Sequence, residues 1–321
     1  LDLARLYDAT PIPLMAHVMR GKQDGPVSVI SAGIHGDEIN GVEIARQLLF
    51  FLKPALIRGT VVVIPVINIY GFFEKSRYLP DRRDLNRSFP GNPEGSLAAQ
   101  IAHCFLEKVG RLCDYSIDLH SGASFRKNWP QLRGDMKDPT TLALAKKFGA
   151  PALLHAPLVK GSLREALVSL GKKALLYESG EALQVDPFAV KIGVQGVLKV
   201  LKETNGYKGA IPKSPLPSAL KSCIYHRSRW LRAPESGMFY AFVDCGDPVK
   251  KGKSVGEVCF PHSQRTLPIT APFSGRVIGT VTSPLALKGE ALLHIADEKR
   301  PHYETFSRKM RPRPEGSKPK R

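Results

Sequence analysis

The stretch SVISAGIHGDEINGVEIARQLLF, Ser28 to Phe50, passes from a β-branched apolar run into a turn holding a histidine and two acids, then into helical spacing. A strand ending in ISAG delivers its turn to the carboxyl edge of a sheet, where open α/β folds gather ligands. Gly33, Gly36 and Gly41 allow the backbone to bend sharply around His35 and Glu38. The H-x-x-E spacing sets an imidazole and a carboxylate three residues apart, near enough to grip one ion, and both groups are ordinary zinc donors. Taken alone the pattern is weak, because a helix-capping carboxylate produces it as readily. A third donor decides the matter.

CDYSIDLHSG (Cys113 to Gly122) offers that donor. Its strand-like run ends at His120, which would reach the same sheet edge. Two histidines and a glutamate leave a fourth zinc position for water, the arrangement of catalytic zinc. Asp118 either orients a ligand from behind or forms a plain salt bridge. Between the two donor segments lies SRYLPDRRDLNRSFPG (Ser76 to Gly91), with four arginines. Asn86 and Arg87 can clamp a carboxylate, since a guanidinium presents a planar fork to its oxygens. Solvated surface charge explains Arg82 and Arg83 equally well. Phe125 and Trp129, just after the His120 turn, either line a pocket or anchor a loop.

From Pro26 to Val200 short β-branched runs alternate with helical patterns. VSVISAG, TVVVIPVIN, YSIDLHS, PALLHA and KKALLYESG read as strands. INGVEIARQLLFFL, GSLAAQIAHCFLEKV, DPTTLALAKKFG and DPFAVKIGVQGVLKVL carry helix-period apolar spacing. The fold class expected is α/β, with a mostly parallel or mixed sheet flanked by helices. Residues 1–205 form the expected catalytic domain and 206–231, rich in Pro, Gly, Ser and Lys, a connecting segment.

Beyond it an imperfect repeat appears: APESGMF (Ala233 to Phe239) returns as APFSGRV (Ala271 to Val277), and Gly252 is answered by Gly289. Residues 232–297 resemble a biotinyl/lipoyl-type β barrel-sandwich. The hairpin CFPHSQRT, where such domains carry a modifiable lysine, has none. Residues 298–321 form a basic tail.

The 321 residues are 43% hydrophobic and 24% charged, enough for a sizeable core. No run approaches a membrane span, and the opening residues lack a signal-peptide layout. The five cysteines are scattered without a CxxC pair, which points to reduced thiols and a cytoplasmic protein. The net charge of +18 is spread along the chain, and no nucleic-acid-binding signature accompanies it. It reads as a basic surface that keeps the protein soluble and attracts small anions. Neither a specific nucleic acid nor a membrane is an expected partner.

GIHGDEING, DLNRSFPG, DLHSG and LLYESGE occur in the order seen in the succinylglutamate desuccinylase/aspartoacylase family, relatives of the zinc carboxypeptidases. The resemblance covers about residues 26 to 200. It implies that His35, Glu38 and His120 hold one zinc ion per chain and that Asn86 and Arg87 bind a substrate carboxylate. It implies Glu178 as general base toward metal-activated water, with Glu181 the competing choice. An arginine ahead of the DLNR motif polarises the carbonyl in this family: Arg77 is the candidate, and Arg83 its rival. The implied activity is hydrolysis of the amide of an N-acylated, carboxylate-bearing small molecule, and homodimers are common in the family. Two alternatives stand beside it: a carboxypeptidase using the same groups on peptides, and an inactive binding module of the same fold. A β domain covering the cavity would favour the small substrate.

Overall fold

The computed structural model describes residues 2–5, 11–213 and 222–297, so the basic tail 298–321 lies outside the described residues. A small antiparallel pair, β1 (Asp2–Arg5) and β2 (Pro11–Pro13), precedes the main body. There follow β3 (His17–Arg20), β4 (Val27–Ala32), α1 (Ile39–Phe51), β5 (Thr60–Ile64), α2 (Ile69–Glu74) and α3 (Leu97–Lys108). Next come β6 (Tyr115–His120), β7 (Arg126–Gly134), α4 (Pro139–Phe148), β8 (Ala152–His155), α5 (Leu163–Ser169), β9 (Lys173–Gly180) and α6 (Pro187–Thr204). The five strands and four helices expected between Pro26 and Val200 all form.

Strands β5, β4, β6 and β9 lie side by side and parallel, with β3 antiparallel at one edge and β7 antiparallel at the other. The sheet is therefore mixed. Strands β4 and β6 are buried along nearly their whole length, because helices cover both faces of the sheet. One face packs Ile44 and Leu48 of α1 with Phe148 of α4 and Val197 and Leu201 of α6. The other packs Ile101 and Phe105 of α3 with Leu163 and Leu167 of α5. Helix α6 starts as its sequence dictates: the Asp186 side chain accepts from the N–H groups of Phe188 and Ala189, with Pro187 in the first turn.

Strand β7 was not anticipated. RKNWPQLRG is polar and contains a proline, which a central strand normally excludes. Pro130 is accommodated because the pairing with β9 slips by one residue between Asn128 and Gln131, a local bulge.

The remaining strands are β10 (Cys223–Tyr225), β11 (Ser228–Arg232), β12 (Gly237–Ala241), β13 (Pro248–Val249) and β14 (Ser254–Cys259). After them come β15 (Thr266–Thr270), β16 (Gly275–Val281), β17 (Leu285–Ala286) and β18 (Ala291–Asp297). Strand β10 pairs with β8, and β16 pairs with β7, so the large sheet continues through β16, β18 and β11 to twelve strands. Strands β15, β14, β12 and β17 form a separate four-stranded antiparallel sheet. Phe239, Val258 and Ile269 of this small sheet enclose a core with Val277, Leu292 and Ile295 of the large one. The two copies of the repeat divide between the sheets: Gly237 opens β12 and Gly275 opens β16. Gly252 and Gly289 match in conformation, with φ of 79° and 83°, where a side chain would be strained.

Candidate metal centre and active-site cavity

Strands β4 and β6 are adjacent and parallel, with Ser31 opposite Asp118, so the turns that follow them open at one edge. The glycines of the first turn answer to close packing. A Cβ on Gly36 would overlap the Gly71 backbone, and one on Gly41 would stand 2.4 Å from the Leu119 carbonyl oxygen. Glu38 sits at the N-cap position of α1, yet its side chain makes no capping bond. It turns instead to both histidines, which disposes of the capping explanation for H-x-x-E.

His35, Glu38 and His120 are buried, and one ligand atom from each lies within 4.8 Å of the others. His35 Nδ1 is 2.7 Å from Glu38 Oε1, and His120 Nδ1 is 2.8 Å from Glu38 Oε2. The Ser121 N–H also donates to Glu38 Oε2, at 3.1 Å. Each imidazole is steered from behind through its other nitrogen: Asp118 Oδ2 lies 2.8 Å from His120 Nε2, and Asp84 Oδ1 lies 3.2 Å from His35 Nε2. Ser31 Oγ donates to the second oxygen of Asp118, and Arg77 donates to that of Asp84 through Nε and Nη2. Both Nδ1 atoms are thereby directed at Glu38. This donor set fits a zinc ion: two imidazoles locked in orientation by carboxylates, and one acid.

Burial disfavours charge on His120, but Asp118 and Glu38 outweigh it and raise the imidazole well above its usual pKa; Glu38, with Asp84, raises His35 against the same penalty. Burial likewise resists ionisation of Glu38, and the two imidazoles still pull it well below the ordinary carboxylate range. Asp37, the second acid of the opening turn, plays a different part. Its carbonyl accepts from the Leu183 N–H and its Oδ2 from Ser124 Oγ, which ties two loops to the turn.

The trio opens into a cavity of about 370 Å³. Glu178 lines it, carried on β9 directly opposite His120 of β6. Glu181 is turned away and accepts from Thr282 Oγ1. Arg77 also lines the cavity, whereas the Arg83 side chain is 64% exposed beside Asp81. Asn86 and Arg87 both reach the wall; Asn86 Oδ1 accepts from the Leu163 N–H, leaving its NH2 as the remaining donor.

The lining groups not singled out from the sequence include Arg126, Asn128, Arg133, Arg164 and Trp230. Arg164 is held by the backbone carbonyls of Ala156 and Pro157, and burial together with the charge of Arg133 lowers its pKa to about 10. Trp230 comes from β11 of the C-terminal unit and stacks on His294, with the Arg126 guanidinium 5.8 Å from the Trp230 ring centroid. Trp129 is packed away with Tyr225 and Ile278, so it anchors rather than lines.

Residues 24–204 match the sequence profile of the Succinylglutamate desuccinylase/Aspartoacylase catalytic domain. An N-alpha-acetyl-L-2,4-diaminobutyric acid deacetylase of Halomonas elongata is 29% identical over 267 residues, covering 78% of this chain and 75% of that protein. Among solved structures, a succinylglutamate desuccinylase/aspartoacylase of Rhodobacter sphaeroides superposes with a TM-score of 0.79 at 26% identity, covering 91% of each chain. The product-bound ectoine utilization protein EutE (DoeB) of Ruegeria pomeroyi shares the fold, with a TM-score of 0.80 at 22% identity and 92% of each chain covered.

Proposed function

The chain belongs to the succinylglutamate desuccinylase/aspartoacylase family, and from that premise we propose that it is a zinc-dependent deacylase of small N-acyl amino acids. The observation that carries the reading is the meeting, in one cavity, of His35, Glu38 and His120 with Glu178, Arg77 and the Asn86–Arg87 pair. His35, Glu38 and His120 would hold the ion, which when bound supplies Lewis acidity and lowers the pKa of water.

Glu178 accepts the proton of the attacking water and returns it to the departing amine. Its place opposite His120 puts it beside the donor trio. Arg77 offers its guanidinium to the oxygen that gains charge as the amide carbonyl becomes tetrahedral. Asn86 and Arg87 anchor a substrate carboxylate through charge-assisted hydrogen bonds. In this reading residues 1–205 carry the chemistry, and the 232–297 unit with β11 shapes the opening.

The cavity is of small-molecule size, and Trp230 closes part of it, which supports an amino-acid-sized substrate over a peptide lying in a groove. The complete set of reacting groups weighs against an inactive binding module. The test is a hydrolysis panel of N-acetyl, N-succinyl and N-formyl amino acids, N-alpha-acetyl-L-2,4-diaminobutyric acid among them. At least one should be cleaved, with loss of activity in a chelator and recovery on adding zinc. A zinc-loaded protein that cleaves none of them would overturn the proposal, and cleavage confined to peptide C-termini would transfer it to the peptidases.

A further inference from the structure

The carboxylate of Glu178 is held on both oxygens by a single strand. Asn128 Nδ2 donates to Oε2 at 2.5 Å, and Arg133 Nη1 stands 3.2 Å from Oε1. Both donors belong to β7 and both line the cavity. Five positions apart, they would face opposite sides of a regular strand, because side chains alternate with a period of two. The bulge corrects this. Asn128 pairs with Gly180, Gln131 with Glu178 and Arg133 with Leu176, so one extra residue between Asn128 and Gln131 restores the phase. The two donors then straddle Glu178 on one face. Bulges beside active sites serve to re-aim side chains in this way.

Neither donor is engaged by another acid. Among the described residues, Glu178 is the carboxylate with which Arg133 pairs, and Arg133 Nε is buried without a partner. Asn128 is backed by the C-terminal unit: its cross-strand neighbour is Gly279 of β16, where a Cβ would stand 3.1 Å from Asn128 Oδ1.

We infer that Asn128 and Arg133 are positioning residues that fix the orientation of the Glu178 carboxylate. A carboxylate has about four lone-pair sites, so two donors leave two free for water while removing rotation of the group. The inference rests on Glu178 acting as the general base.

The test uses zinc-loaded protein and whichever N-acyl amino acid of the panel the unaltered chain hydrolyses fastest. Asn128→Ala and Arg133→Ala should each lower kcat about 10- to 100-fold, the scale of a hydrogen bond to a charged group, with KM changed less than about twofold. Arg133→Lys should recover part of the loss. In a Glu178→Gln background, Asn128→Ala should cost less than about twofold more, since a residue acting through Glu178 has nothing left to position. Zinc content and melting temperature report whether each variant is folded. If Asn128→Ala is not, Asn128→Asp keeps the volume, removes the donor and should lower kcat at least as far. A raised KM with unchanged kcat, or a full additive loss in the Glu178→Gln background, would overturn the inference while leaving the general base in place. Unimpaired turnover by Glu178→Gln alone would remove the base assignment, and this inference with it.

Discussion

At the floor of the cavity His35, Glu38 and His120 are at most 3% exposed, and each is held by groups of complementary charge. On the wall stand Arg87, Arg126 and Arg164; Arg87 and Arg164 donate to backbone carbonyls, and Arg126 lies over an aromatic ring. The floor is internally compensated, so its geometry is fixed before any ligand arrives. The wall concentrates guanidinium charge that is not hydrogen-bonded to acids, which suits an anionic substrate under the proposed function. In that proposal, the floor sets which reaction is possible and the wall sets which molecule undergoes it.

Breaking the floor should have the largest effect. His120→Ala should empty the site of zinc and reduce turnover by about 10³-fold or more, read by elemental analysis and the hydrolysis assay. Glu178→Gln should lower kcat by about 10²- to 10⁴-fold and leave zinc content near normal; loss of zinc would make Glu178 a ligand instead. Asp118→Asn and Asp84→Asn keep shape but weaken the hold on the imidazoles. Zinc affinity should drop about 10- to 100-fold in competition with a chelator.

Breaking the wall should show in a different constant. Arg87→Ala should raise KM about 10- to 100-fold with kcat little changed, and a fall confined to kcat would move Arg87 to the floor. The smallest effect sharpens the boundary between the two. Gly279→Ala adds one methyl against Asn128 Oδ1 from the C-terminal unit. It should lower kcat about 2- to 5-fold without altering zinc content, because displacements well under 1 Å at a catalytic group are felt in rate.

The floor was legible in the sequence because its donors sit at fixed offsets in strand–turn segments: His35 and Glu38 after one apolar run, His120 at the end of another. Asp118 was visible as a candidate for orienting a ligand. Asp84 was not, although it adjoins Asn86 and Arg87, since its role comes from a contact 49 residues away along the chain. The wall was mostly illegible. A lone arginine carries the same sequence signal whether it faces solvent or a cavity, and Arg126 and Arg133 in β7 and Arg164 in the short α5 gave no periodicity to distinguish them. Strand β7 hid for a related reason. Its buried positions include Asn128 and Gln131, and Pro130 occupies the bulge, so neither alternation nor composition announces a strand. Helices α2 and α5 were missed as well, being only six and seven residues long.

The ladder between β7 and β16 bears on how such a protein can be taken apart or recombined. Cutting the gene after residue 213 would strip the first residues of β7 of their outer neighbour and leave Trp129 without Ile278. The exposed backbone would then be a template for self-association. The two halves are thus poor modules for shuffling. A graft that exchanges the C-terminal unit must carry a compatible partner for Arg126, Lys127 and Asn128, or it will disturb the hydrogen bond from Asn128 to Glu178 while both residues are still in the sequence.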